Sequence, residues 1–143
     1  MGKIWLIGVV AIAMLAAVAF AGDGGGAPDA PDLVPQIYAV VPEPPYLHID
    51  YRTMNIGTAT AGESYSSYTY GIPMFMVEIL EWIDYLEPNT WVGIDEDIPL
   101  SYCSNGGHIY IDAWADIYNE VAESNENNNH VTYTYNCQTG EIE

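Results

Sequence analysis

Downstream of residue 31 the chain alternates apolar and polar positions with a period of two. Leu47, Ile49, Tyr51 and Thr53 alternate with His48, Asp50, Arg52 and Met54, the pattern of a strand with one face buried. Ile109, Ile111, Ala113 and Ala115 alternate in the same way with Tyr110, Asp112, Trp114 and Asp116. Val131, Tyr133 and Tyr135 alternate with Thr132, Thr134 and Asn136. The runs are short, rich in β-branched and aromatic residues, and separated by Gly, Pro and Asn clusters. That combination predicts an all-β antiparallel sandwich. Seven strands are expected, over 33–41, 47–55, 64–70, 75–85, 91–98, 108–116 and 130–137.

The fourth strand has a competing reading. Met76, Ile79, Leu80 and Ile83 fall at helical spacing, and Glu78, Glu81, Asp84 and Glu87 recur every third residue. Pro73 would suit the first turn of such a helix. The all-β surroundings favour a strand, although periodicity in a short apolar run fits either.

The front of the chain follows a different pattern. Lys3 precedes an unbroken apolar run from Ile4 to Val18, followed by Ala19, Phe20 and Ala21 in an A-x-A arrangement. Charge, apolar stretch and small-residue site predict an N-terminal apolar helix acting as a secretory signal peptide, residues 1–21, cleaved after Ala21. A retained membrane helix is the alternative, because residues 4–21 reach the lower limit of a span. Residues 22–31 are rich in Gly and Pro and are expected to be a flexible tether. The folded domain is then 32–143.

Composition narrows the function. The 143 residues carry 20 acidic side chains against one Lys and one Arg, a formal charge of −18. Loss of Lys3 with the leader leaves Arg52 alone and a charge of −19. Binding to nucleic acid needs the opposite sign to release counterions from phosphate, so that class is excluded. The same field repels anionic membranes and attracts divalent cations. Acidic excess also serves plain solubility.

Two cysteines, Cys103 and Cys137, are present. In an exported chain they are expected to form a disulfide. The end of strand seven must return beside the start of strand six, which places Cys137 near the loop containing Cys103.

Residues 116–129 hold four carboxylates and five asparagines with no cation. Two readings stand. Asp116, Asn119, Glu123, Asn125 and Glu126 supply the hard oxygen ligands that calcium takes, although without EF-hand spacing. Alternatively the same groups brace the connection: Asn and Asp close Asx-turns, Val121 enters the end of the core, and Glu123 accepts backbone N–H groups.

Twelve Tyr and four Trp are more than a core of this size requires. Tyr110 and Trp114 share the outward face of strand six and are candidates for an interaction surface, since exposed rings combine apolar area with a polar tip. Both are also good strand formers, which would explain them without a partner. Neither a G-x-S-x-G elbow, a phosphate-cradling glycine loop nor an H-E-x-x-H pair occurs. His48, His108 and His130 fall in three different strands. No enzyme is expected.

Several short motifs occur in a fixed order. Pro31, Asp32, Leu33 and Val34 are followed by the alternating segment Leu47 to Asn55, the Asn55-x-Gly57 turn and Ala59 to Gly62. Leu86, Glu87, Pro88 and Asn89 come next, then Gly107 to Ile111, and finally Asp116, Asn119, Glu120, Val121, Glu123, Asn125, Glu126, Asn128 and Asn129. This series resembles the CARDB family, the cell-adhesion-related domain of bacterial and archaeal surface proteins. Asn89 stands where the family has Gly, a change that still tolerates a left-handed backbone. The resemblance implies a single immunoglobulin-like or fibronectin-III-like module. It implies a secreted, non-catalytic surface protein that contacts a cell-surface protein or glycan, located outside the cell. The alternative is a self-assembling subunit of an extracellular fibre, pilus or sheath, because the apolar run 72–77 could form an edge that accepts another subunit's strand.

Overall fold

The computed structural model describes residues 29–105 and 107–143. The expected leader, 1–21, and most of the tether lie outside these residues. Seven strands form: β1 Leu33–Glu43, β2 Tyr46–Asn55, β3 Ser64–Ile72, β4 Phe75–Ile83, β5 Trp91–Pro99, β6 His108–Trp114 and β7 His130–Asn136. One 3-10 segment, Leu100–Asn105, joins β5 to β6 and was not expected from the sequence. The strands make two antiparallel sheets, ordered β1-β2-β5 and β4-β3-β6-β7. The antiparallel sandwich expected from the alternation is therefore present, and it has the immunoglobulin-like form that the resemblance implied.

The segment with two readings is a strand. β4 pairs with β3 without a break from Ser64↔Ile83 to Ile72↔Phe75. Its helical spacing has a simple cause: β4 is an edge strand with apolar residues on both faces. Ile83 is buried and Val77 and Ile79 pack on the core, whereas Met76, Leu80 and Trp82 face outward and are exposed.

Strand ends differ modestly from expectation. β4 stops at Ile83 rather than at 85, and Leu86 instead bridges to Ala61 in the lower core. β6 stops at Trp114 rather than at 116, because Asp116 takes a positive φ of 42°. β7 ends at Asn136, one residue before Cys137. β1 runs on to Glu43 because β2 pairs with it to the hairpin.

The core lies between the sheets. Leu47, Ile49 and Tyr51 of β2 and Ile98 of β5 meet Tyr68 and Tyr70 of β3, Ile109, Ile111 and Ala113 of β6, and Tyr135 of β7. In β2, β6 and β7 these inward residues are ones that the alternation assigned; those of β3 and β5 were not assigned. Thr53 is the polar member of the inward set of β2, and both it and Ser66 opposite are fully buried. Its hydroxyl bonds Ser66 Oγ across the sandwich at 2.7 Å and Tyr68 OH at 3.0 Å, so the group is satisfied without water. Burial pushes the Tyr68 phenol up to about 12.

A second cluster closes one end of the sandwich: Leu33, Ala61, Ile83, Leu86, Ala115 and Val121. Asn55 organises its rim. The fully buried amide donates to Ala59 O and Leu86 O, each at 2.8 Å, and accepts from Gly57 N at 3.0 Å and Asp32 N at 3.2 Å. Gly57 is required by close approach, since a Cβ there would lie 2.4 Å from Ala30 O. The last residues of the expected tether are thus part of the fold: Ala30 O accepts from Thr58 N at 2.9 Å, and Pro31 O accepts from Ser124 N at 2.9 Å. Asn89 has φ 61°, the left-handed backbone that the sequence motif implied at that site.

Candidate functional site

The two regions singled out in the sequence lie on different parts of the molecule. The loop 116–129 covers the end of the second core cluster, and Tyr110 and Trp114 stand on the outer face of the four-stranded sheet.

In the loop, Asp116 is buried and both of its oxygens are used. Oδ1 accepts Glu120 N and Oδ2 accepts Val121 N, each at 2.8 Å. Its own carbonyl accepts Asn119 N at 2.8 Å, and Asn119 takes a φ of 56°. This double turn drives Val121 into the core. Glu123 is committed in the same way: Oε2 accepts Leu33 N and Oε1 accepts Asn129 Nδ2, the latter at 2.7 Å. Glu126 Oε1 accepts Glu123 N at 2.8 Å, and Asn125 Oδ1 accepts Asn127 N at 3.2 Å. Ser124 Oγ and Asn128 Nδ2 donate to Asp32 at 3.2 and 2.8 Å.

Of the five candidate calcium ligands, Glu123 ties the loop to the start of β1, Asp116, Asn125 and Glu126 accept N–H groups within the loop, and Asn119 donates its backbone N–H to Asp116 O. Each Asp116 and Glu123 oxygen accepts one N–H, so the loop is braced by the chain's own donors. Among the described residues no group of three His, Cys, Asp or Glu side chains converges as a metal set. Burial is the main force on Glu123 and pushes its carboxyl up to about 7. The hydrogen bonds from Leu33 and Asn129 oppose that shift, while Glu126 and Asp116 add to it.

The outer sheet face is built by register. Across it, Leu80, Ser67, Trp114 and His130 form one row; Glu78, Thr69, Asp112 and Thr132 the next; Met76, Gly71, Tyr110 and Thr134 a third. Trp114 and Tyr110 are 39% and 40% exposed, so neighbouring strands do not cover them. Trp114 is fixed in place. Its ring stacks on His130 at 3.9 Å, and its indole N–H donates to Asp112 Oδ2 at 2.8 Å. The other oxygen of Asp112 lies 2.6 Å from His130 Nε2. One carboxylate therefore holds both rings.

Sequence reasoning missed part of this face. Trp82 pairs with Tyr65, and Tyr65 meets Tyr118 edge-on at 5.7 Å, so the aromatic surface continues past Trp114. The alternation of β4 could have placed Trp82 there once Ile79 and Ile83 were set inward. Tyr118 sits in the loop and gave no periodic signal. Beyond Tyr110 the face ends in an open hollow of about 390 Å³ lined by Pro73, Met74, Tyr102, His108 and Tyr110.

The opposite sheet carries a different device, also unseen in the sequence. The Arg52 guanidinium lies 3.4 Å from the Tyr38 ring centre and 4.0 Å from that of Trp91. Asp50 holds it through Nε at 3.1 Å and Nη2 at 2.7 Å. This cation–π sandwich links β1, β2 and β5 and uses the one Lys or Arg among the described residues. On the same strand, the hydrogen bond to Asp97 raises the His48 imidazole above its usual range against the opposing effect of burial.

Cys103 and Cys137 are bridged, with Cα atoms 5.4 Å apart. Cys137 N donates to Gly107 O at 3.1 Å, so the end of β7 does return to the start of β6.

The fold is similar to that of the CARDB domain of the PF1109 protein from Pyrococcus furiosus, solved in complex with di-metal ions. The match has a TM-score of 0.57 and 20% identity, and it spans 78% of this chain and 96% of that one. A looser similarity, TM-score 0.48 and 16% identity, relates 79% of this chain to 16% of β-glucosidase 3B from Thermotoga neapolitana. No family model and no curated protein matches the sequence. The likeness to the archaeal domain shows a CARDB-like fold.

Proposed function

We propose that the chain is a secreted, non-catalytic module of the CARDB type that holds a cell-surface polymer on the outer face of its four-stranded sheet. The observation that carries this reading is the clamped Trp114: a half-exposed indole on an open sheet face, locked by Asp112 and His130. Locking a ring before contact lowers the entropy lost on binding. The rings of Tyr110, Trp114 and Trp82 offer apolar area, and the carboxylates of Asp112 and Glu78 offer acceptors between them. Apolar faces beside acceptors match the alternating C–H and O–H surface of a neutral glycan. An anionic polymer is disfavoured by the net charge of −18.

The non-catalytic part rests on side-chain placement. His48, His108 and His130 stand on three different strands, each beside its own carboxylate, so they do not converge. The cysteines are in the disulfide. Export rests on residues 1–21 and on the bridge.

The test is retention of the exported protein on insoluble cell-envelope material, followed by a glycan array. Release by a neutral polysaccharide supports the reading. Retention that survives every glycan but is lost after protease treatment of the envelope points to a protein ligand. No retention on any surface polymer contradicts the reading. Self-assembly into a fibre, pilus or sheath is the second reading, and the exposed apolar edge at β4 favours it.

A further inference from the structure

The two sheets have four edge strands, and each carries protection against pairing with another strand. β1 has a bulge between Ile37 and Ala39 and two prolines, Pro35 and Pro42. β5 presents Asp95, Glu96 and Asp97 in succession and ends at Pro99. β7 is covered by the C-terminal residues: Thr134 and Glu143 exchange N–H···O bonds at 3.0 and 2.8 Å, and Asn136 N donates to Glu141 O at 2.8 Å. Bulges, prolines, covering segments and charges, inward-pointing ones included, are the usual means of blocking edge-to-edge association.

β4 relies on charge alone. It is nine residues long, pairs with β3 without a bulge, and contains no Pro, Lys or Arg. Glu78 points outward and accepts the Ser67 hydroxyl at 2.8 Å. Glu81 points the other way, on the inner face with Ile79 and Ile83. In register it stands opposite Ser66, with Tyr68 and Ser64 to either side. Its Oε2 is buried and has no hydrogen-bond partner. Among the described residues the one Lys or Arg is Arg52, which Asp50 holds on the other sheet. The Glu81 charge therefore has no cation to offset it.

We infer that Glu81 gates this edge: ionised, its inward carboxylate keeps β4 unpaired, and protonated, it leaves the edge open to strand addition. A strand laid beside β4 would set its own inward side chains against Glu81 and cut the carboxylate off from water. A charge enclosed without a cation is strongly unfavourable, whereas a neutral carboxyl costs far less.

The groups around Glu81 are neutral. They are Ser64, Ser66 and Tyr68 of β3, with Thr53 of β2 behind them bonded to Ser66 and Tyr68. Glu96 of β5 turns to Tyr70 instead. Burial raises the Glu81 carboxyl above its ordinary value, and the Tyr68 hydroxyl opposes that shift. The gate therefore opens on acidification, at a higher pH than an exposed glutamate would lose its charge. The inference bears on the self-assembly reading, since it makes any assembly through β4 depend on the charge of one residue. It stands whatever the outer face binds.

Sedimentation velocity on protein recovered after export of the full chain tests the gate. Measurements at about pH 8 and 0.3 M salt screen the general self-repulsion of the acidic chains. The wild type is expected to be monomeric. Glu81→Leu is expected to self-associate at least about tenfold more tightly, with Glu81→Gln, which keeps the shape, in between. Glu81→Lys separates the gate from net charge. It removes more negative charge than Glu81→Leu does, yet it restores an inward charge and is expected to stay monomeric. At about pH 5 the wild type is expected to associate and Glu81→Lys to remain single. Circular dichroism confirms that each variant folds. Glu81→Leu and Glu81→Gln that stay monomeric up to roughly 1 mM overturn the inference. Association of Glu81→Lys equal to that of Glu81→Leu overturns it too, because net charge would then suffice. So does a wild type that associates at about pH 8 as tightly as Glu81→Leu.

Discussion

The carboxylate of Glu123, in the loop that follows β6, accepts the backbone N–H of Leu33, the first residue of β1. The two residues are 90 positions apart. Through this bond the loop closes the end of the sandwich and fixes the point at which the chain enters it. The same carboxyl is pushed up to about 7, mainly by burial.

A raised carboxyl pKa makes stability depend on pH with a definite sign. The folded state binds the proton more tightly than the unfolded chain, so this contribution is fully present below about pH 4.5 and is lost as pH rises through about 7. Thermal melts of the wild type and Glu123→Gln from pH 4.5 to 7.5 isolate it. The wild type is expected to lose stability relative to the variant as pH rises. Parallel curves, or a gain with pH, would contradict the assignment.

Asn55 fills four hydrogen bonds at one buried position. Asn55→Ala leaves two buried donors and two acceptors without partners, for an expected loss of about 3 kcal/mol or more. Asn55→Asp preserves shape but turns an oxygen toward Ala59 O and Leu86 O, so it is expected to be no better tolerated. Urea unfolding checks both. A loss under about 1 kcal/mol for either would show that water replaces the amide.

Removal of the bridge by Cys103→Ser with Cys137→Ser opens a connection across 34 residues. The expected loss is about 3 to 4 kcal/mol in the chain-entropy picture, which is on the order of 10 °C or more in melting temperature for a domain of this size. Differential scanning of the two proteins measures it.

The alternation exposed the fold because each sheet buries one face. The inward set of β2 and β6 could be read residue by residue, and the cysteine pairing followed from the antiparallel return of β7. The identity of β4 was ambiguous because an edge strand with apolar residues on both faces mimics helical spacing. The Thr53–Ser66–Tyr68 contact and the Arg52 sandwich bring together residues from different strands, so no local pattern announces them. In the site, Tyr110 and Trp114 were visible from period two. Asp112, which holds Trp114, looked like any polar outward residue. Which role the acidic loop plays depended on where each carboxylate oxygen points, and composition carries no such information.

Calcium separates the two roles of that loop. With Asp116 and Glu123 oxygens already facing N–H groups, calcium and sodium chloride at matched ionic strength are expected to raise the melting temperature equally, by screening. A calcium-specific rise near 10 °C at hundredfold excess over Kd, absent from Asp116→Asn with Glu123→Gln, would overturn the brace.

Retention on cell-envelope material, measured for face variants against a control on the other sheet, tests the central claim most directly. Trp114→Ala removes the clamped ring, and Tyr46→Ala removes an exposed ring from the three-stranded sheet. The recognition reading predicts that Trp114→Ala loses at least about tenfold in binding, as removal of a buried-contact aromatic typically does, while Tyr46→Ala binds like the wild type. Equal binding by all three proteins, or a loss confined to Tyr46→Ala, would show that the outer face of the four-stranded sheet is not the binding surface.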